Sequence, residues 1–203
     1  DYNIAGTVSP PPRRDPLILD IDGDGVETKM IDTTTYFDHD GDGFAERTGW
    51  VSPDDGLLVM DRNDDGKITD GKELFGDSAI LKTGQRAANG FEALSELDSN
   101  KDGVVDAKDP DFVKLRVWQD ANQDCVSGPE ELRDLNSLGI TGIKLDSQIV
   151  NSPDGLGNTL IRNGSFIRSD ETEGMIAEYN LKRNLTHTRD NNLVDFPDDF
   201  AAL

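Results

Sequence analysis

The sequence predicts an α+β fold: a single domain in which a helix–loop pair adjoins antiparallel β hairpins. Three observations carry that expectation. Short runs of apolar, β-branched and aromatic residues alternate with Gly/Asp turns, as in PLILDI (16–21) and GLLVMD (56–61). Two segments, 87–97 and 128–139, carry helix spacing or helix-boundary residues. Near the end, NTLIRNGSFIRSD and EGMIAEYNLKR read as a terminal hairpin or meander, with turns expected at Asn163-Gly164 and Glu173-Gly174.

In chain order, residues 1–15 end in SPPPRRD, a proline-rich extended lead-in. PLILDI reads as a short strand. Residues 26–38 are rich in Thr and aromatics, and FAERTGWV and GLLVMD follow as further strands. KELFG (72–76) reads as a short helix. AANGFEALSEL (87–97) is an amphipathic helix with Phe91, Leu94 and Leu97 on one face. GPEELRDLNSLG (128–139) is a second helix, with Pro129 near its start and Gly139 at its stop. ITGIKLD (140–146) is a strand. The expected organisation is an upstream extended segment 1–15, a folded module 16–185 and a loose acidic tail 186–203.

Five acidic loops of the form D-x-[D/N]-x-D interrupt these elements. They open at Asp20, Asp38, Asp61, Asp98 and Asp120. Aspartates at alternate positions of a tight loop bring several hard oxygens to one point, the arrangement that suits Ca²⁺, and a glycine at the sixth position allows the sharp turn. The first loop offers Asp20, Asp22 and Asp24, and the second Asp38, Asp40 and Asp42. Neither has an acid at position 12, so either Glu27 and Glu46 close them or neighbouring loops share ions. The third offers Asp61, Asn63, Asp65, the Lys67 carbonyl and Glu73, which falls at position 13, so one residue, Gly71, has to bulge. The fourth offers Asp98, Asn100, Asp102, the Val104 carbonyl, Asp106 and Asp109. The fifth offers Asp120, Asn122, Asp124, the Val126 carbonyl and Glu131 at the EF-hand position 12, with Cys125 where glycine is expected. The last three loops have the more complete ligand sets, and residues 87–139 outline an EF-hand-like pair.

Charge agrees with metal binding. The formal net charge is −21, from 41 acids against 20 bases, and about half of those acids lie in or beside the five loops. Without cations such loops repel themselves, so metal binding and folding are expected to be coupled. So acidic a chain is a poor partner for nucleic acid or anionic membranes. No segment reaches the roughly 18 apolar residues needed to span a bilayer. The single cysteine excludes an intramolecular disulfide. The opening DYNIAG has no signal-peptide pattern, so a piece of a longer protein is expected, and millimolar extracellular calcium favours a secreted or cell-surface setting.

The ordered series PLILDIDGDGVET, FDHDGDG, DRNDDGKITDGKELFG, FEALSELDSNKDGVVD, LRVWQDANQDC, LGITGIKL and GSFIRSDETEGMIAEYNL resembles the self-processing module of RTX proteins, the FrpC type. The resemblance covers about residues 15–182. It implies that calcium folds the module, that the module then breaks an Asp-Pro bond at its start, and that the freed aspartyl carboxyl can join a lysine amine. The matching bond here is Asp15-Pro16. The acceptor is a lysine of this chain (Lys29, Lys67, Lys72, Lys82, Lys144 or Lys182) or one on another protein.

Asp-Pro chemistry supports that implication. The Asp15 carboxylate can close a five-membered anhydride on its own carbonyl carbon, with the advantage of an intramolecular nucleophile. Proline leaves from a tertiary amide, and a general acid would protonate its nitrogen. His39, His187, Tyr36 and the acids around Asp20 are candidates for that role, although a histidine inside an acidic loop is more often solvated. Asp109-Pro110 is a second such dipeptide, but Asp109 is expected to be engaged as a metal ligand. Two other functions fit fewer residues: a calcium-stiffened structural module that does not cut, and a dockerin-like recognition module. No Ser/Cys–His constellation supports a conventional hydrolase.

Overall fold

The computed structural model describes residues 15–190. Fourteen strands and one α-helix follow one another: β1 (Leu17–Leu19), β2 (Thr28–Lys29), β3 (Tyr36–Phe37), β4 (Phe44–Thr48), β5 (Trp50–Val51), β6 (Gly56–Val59), α1 (Gly90–Ser95), β7 (Val104–Asp106), β8 (Arg116–Trp118), β9 (Leu132–Asp134), β10 (Ile140–Lys144), β11 (Gln148–Pro153), β12 (Thr159–Arg168), β13 (Glu173–Asn180) and β14 (Arg183–Asp190). Short 3₁₀ turns occupy Phe112–Lys114 and Asn136–Leu138. The expected α+β fold is thus corrected to a mostly β one, built on a curled antiparallel sheet.

Nine strands form that sheet in the order β7-β10-β12-β13-β1-β6-β8-β9, with β11 also on β12. β1 therefore lies in the middle although it is the first strand of the described residues. It pairs with β13 (Ile18 opposite Ala177) and with β6 (Ile18 opposite Leu57). Its side chains alternate between two cores. Leu17 and Leu19 join Leu58, Phe75, Phe91, Leu94 and Phe166 on one face, and Ile18 joins Leu57, Trp50, Trp118 and Tyr179 on the other. A strand covered on both faces reads as an unbroken apolar run, which is what PLIL and GLLVM show. Two smaller sheets, β14-β4-β3 and β2-β5, complete the fold.

The helix α1 forms where expected, capped by the Asn89 side chain, which accepts from the Glu92 amide. The second expected helix does not form. Residues 132–134 are β9, paired with β8, and 136–138 are a 3₁₀ turn closed by Gly139 in the left-handed region. Leu132 packs with Trp118 in one core, while Leu135 is buried in the other. Three-residue spacing on a helix would have kept both on one face, so the need to feed two cores overrides helix propensity. Among the described residues there is accordingly no EF-hand-like helix–loop pair. KELFG is not a helix either: it is a bent segment bridged at Leu74 to Val59, in which the Met60 amide donates to Glu73 O, the Phe75 amide to Leu58 O and the Leu17 amide to Phe75 O.

The terminal hairpin is present as β12–β13, but its turn lies between them, at residues 169–172. Asn163-Gly164 is mid-strand, and Gly164 is bare there because the Phe91 ring would lie 2.9 Å from its Cβ. Residues 186–190, expected in a loose tail, belong to β14 and pair with β4. The upstream lead-in through Arg14 and the tail beyond residue 190 lie outside the described residues. Among the described residues no helix is long and apolar enough to cross a membrane.

Candidate active site and metal loops

The third, fourth and fifth loops share one hydrogen-bond pattern. The first aspartate accepts from the amides of positions 5 and 6: Asp61 from Asp65 and Gly66, Asp98 from Asp102 and Gly103, Asp120 from Asp124 and Cys125. The asparagine at position 3 accepts from the position-5 amide in each, at 2.8–3.0 Å. The position-5 aspartate accepts from the position-7 amides of Lys67, Val104 and Val126, leaving those residues' carbonyls for other use. Glu73 accepts from Arg62 and Thr69, Asp109 from Ser99 and Asp106, and Glu131 from Gly128, so each closing acid is folded back over its loop. Position 6 has positive φ in all three, +81° at Gly66, +85° at Gly103 and +60° at Cys125. Cys125 thus takes the strained conformation that its loop position demands.

The loops do not pair as the helix expectation implied. Position 8 of the third loop meets position 8 of the fifth: the Ile68 amide donates to Ser127 Oγ at 2.7 Å, and that hydroxyl faces Ile68 O at 3.3 Å. The corresponding residue of the fourth loop, Val105, sits in β7 opposite Ile143. The second, third and fifth loops surround one cavity of about 520 Å³, lined by Asp38, Asp42, Lys67, Asp70, Cys125 and Ser127.

In the first loop, Asp20 and Asp22 converge with Asp55, and in the second Asp38, Asp40 and Asp42 converge. Asp55 was not legible as a candidate. It follows Asp54 in an ordinary turn, and only the strand pairing of β1 with β6 carries it beside Asp20. It is fully buried and accepts from the Ile21 and Glu27 amides at 3.2 and 2.7 Å. Burial pushes its carboxyl up to about 7, with the charges of Glu27 and Asp20 adding to the rise. Glu27 lies beside Asp24 rather than in that trio. Asp38 is buried and accepts from Gly41, Asp42 and Gly43. Glu46 is buried too and accepts from the His39 amide at 3.2 Å. Burial raises the carboxyls of Asp38, Glu46, Glu73 and Asp120 above their ordinary range. Such groups are poised for a proton or a cation. Converging oxygens of this kind, with the asparagine and carbonyl oxygens of the last three loops, fit a hard divalent ion such as Ca²⁺.

Asp15 and Pro16 lie at the entry to β1. Asp15 is buried, and the pair lines a cleft shared with His39, Gly71, Leu74, Gly76 and Ser78. The cleft has a volume of about 10 Å³, room for about one water. Pro16 O accepts from the Tyr179 amide at 3.2 Å, and the next amide, Leu17, donates to Phe75 O at 2.9 Å. The walls come from the loops. His39 belongs to the second loop, and Leu74 to Gly76 leave the third directly after Glu73. The two are held together: the Gly71 amide donates to Asp38 O, Ser78 Oγ donates to His39 O, and a Cβ on Gly71 would run into the His39 carbonyl. Gly71, the residue expected to bulge, is turned toward the second loop.

His39 is not the solvated loop histidine expected. It is buried, packs edge-on to Phe37 at 5.2 Å and places Nε2 2.9 Å from Thr48 Oγ1. Thr48 Oγ1 gives its hydrogen to Gly49 O, so it accepts from His39, which assigns the Nε2–H tautomer. Tyr36 faces the larger cavity instead, and His187 is exposed on β14. At the other Asp-Pro bond, Asp109 is committed to the amides of Ser99 and Asp106 and to Ser99 Oγ. Burial acts to raise its carboxyl, but those bonds outweigh it and hold the group below its ordinary range.

A mostly antiparallel domain with five acidic loops, opening on a clasped Asp-Pro peptide, defines a class of module. The model of the family described as SPM domain matches residues 17–182, and the chain belongs to that family, the RTX-associated self-processing modules. The chain is 47% identical over 177 residues to the iron-regulated protein FrpA of Neisseria meningitidis serogroup C. That match takes in 86% of this chain and 16% of the relative, so the chain spans a small part of the protein it resembles.

Proposed function

We propose that this chain is a calcium-triggered, single-turnover module that breaks its own Asp15-Pro16 bond. The observation that carries the reading is the clasp: the peptide rests between His39 of the second loop and the Leu74–Gly76 segment leaving the third. Anything that orders those loops orders the bond. Calcium would be held by the oxygens of the five loops, with Asp55 added to the first. Its chemistry there is to neutralise converged carboxylates, so that loops which repel themselves keep one shape.

The reaction belongs to the chain. A carboxylate oxygen of Asp15 bonds to the Asp15 carbonyl carbon, the C–N bond to Pro16 breaks, and the proline nitrogen takes a proton from water in the cleft. The products are a cyclic anhydride on the upstream piece and a module beginning with the Pro16 amine. Water opens the anhydride to a free C-terminal aspartate. A lysine amine, of this chain or another protein, opens it to an Asp–Lys amide and a free carboxyl. Membership of an RTX-associated family and the calcium loops support a secreted or cell-surface setting, where calcium becomes abundant.

The test is one gel and one mass spectrum of the purified chain with millimolar calcium or chelator. Two fragments only with calcium, one beginning at Pro16, is the expected result. An intact chain that nevertheless changes conformation with calcium would replace this reading with that of a structural module.

A further inference from the structure

Gly76 is pressed against the Asp15-Pro16 peptide. A Cβ built on it would lie 2.8 Å from the Asp15 carbonyl oxygen, 3.1 Å from the carbonyl carbon and 3.4 Å from the Pro16 nitrogen. A group approaching in the peptide plane, beyond the oxygen, would be far more distant from carbon and nitrogen than from oxygen. Three such similar distances put Gly76 against one face of the peptide. Its position is fixed independently: the Phe75 carbonyl before it accepts from Leu17, and its own carbonyl accepts from the Ala79 amide at 3.1 Å. Its φ is not in the left-handed region, so the backbone itself would tolerate alanine.

We infer that Gly76 is a positioning residue for the cut, present because the reaction needs that face bare. The inference rests on Asp15-Pro16 being the bond that breaks. With Gly76 against one face, the Asp15 carboxylate reaches the carbonyl carbon from the other. As the new C–O bond forms, the carbon turns tetrahedral and its other substituents, the carbonyl oxygen and the proline nitrogen among them, bend away from the nucleophile and toward Gly76. A methyl there, already inside normal contact with the flat peptide, meets the bent one more closely still. It also lifts the peptide off its support and spoils the alignment of attack, and a misplacement of about 1 Å at a reacting centre costs on the order of 100-fold in rate.

The test compares Gly76→Ala with the parent chain by stopped calcium addition, reading tryptophan emission for folding and fragment yield against time for cutting. Gly76→Ala is expected to reach the parent's calcium-bound emission and eventually the parent's yield, with a rate constant lower by about 100-fold. A folding defect gives a different signature, a smaller fraction of chains cutting at the parent's rate, and that result overturns the inference, as does cutting at an unchanged rate and yield. Hydrogen exchange at the Leu17 amide covers a variant that emits abnormally. Protection equal to the parent's together with slow cutting upholds the positioning role, and lost protection shows a structural one and overturns it. If the parent itself does not cut at Asp15-Pro16, the proposed function fails and this inference with it. If the parent cuts and Gly76→Ala cuts equally well, only the inference fails.

Discussion

Trp50 Nε1 donates to Oδ2 of Asp120 at 2.7 Å inside the core, joining an aromatic cluster to the aspartate that opens the fifth loop. Trp118 packs edge-on to it at 5.5 Å, and its own Nε1 is buried with no hydrogen-bond partner among the described residues. The two tryptophans therefore separate a hydrogen-bond effect from a packing effect. Trp50→Phe is expected to destabilise the calcium-bound form by about 1.5–3 kcal/mol more than Trp118→Phe, the size of a bond to a charged group. Denaturant midpoints of the two variants in calcium measure the difference. Equal losses would show that the indole bond contributes little.

Asp15 carries the sharpest expectation. Asp15→Asn should abolish the cut, since a neutral amide is a poor nucleophile for closing the anhydride. Asp15→Glu should slow it by about 100-fold or more, because the ring grows to six and the carboxylate leaves a cleft with space for about one water. An external primary amine should be captured as an amide on the upstream fragment, increasingly as pH rises and free base accumulates. Cutting of Asp15→Asn at the parent's rate would rule the anhydride out.

Ligand completeness alone would rank Asp98 above Asp38. The geometry reverses that order for cutting. The fourth loop leads into β7 at the sheet edge, four strands from β1, whereas Asp38 adjoins His39 in the cleft wall and its carbonyl holds Gly71. Asp38→Ala should slow the cut at least tenfold more than Asp98→Ala when both are assayed in saturating calcium. The opposite ranking would mean that the fourth loop controls the cleft from a distance.

The pH response should change sign with calcium. Asp55 has its carboxyl raised to about 7 in the fold, by burial first, against 3.8 for the free group. The folded state thus binds that proton more tightly than the unfolded one, so its stabilisation is complete at low pH and fades as pH rises through about 7. In chelator, the near-ultraviolet dichroism of the compact form should grow as pH falls from about 8 to about 5. In limiting calcium the trend reverses, because protons compete with the ion for the same carboxylates and more calcium is needed. A chelated chain indifferent to pH over that range would contradict the burial of Asp55.

Much of this was legible in the residues. The apolar runs of β1 and β6, the helix at Phe91 and Leu94, and the loop series could be read from period and spacing. What failed did so for one physical reason: the two-faced sheet. Leu132 and Leu135 look like one helix face but feed opposite cores, and Leu74 and Phe75 likewise divide between them. Gly164 looks like a turn residue but makes room for Phe91. Within the site, Asp15-Pro16 was found through resemblance and chemistry. Asp55, Gly76 and the burial of His39 depend on strand pairing across distant segments, which no local pattern encodes.

The hydrogen bond from Tyr179 to Pro16 joins the entry of β1 to β13, segments far apart in the sequence. β1 can take its central place only when β13, nearly the last strand, has arrived beside it. Until β13 is in place, the residues ahead of β1 have no partner for the Pro16 carbonyl and the bond stays unclasped. A prematurely terminated or proteolysed chain would lack the strand that completes the clasp and would stay in one piece. The module would thereby commit to scission only when the chain as far as β13 is present.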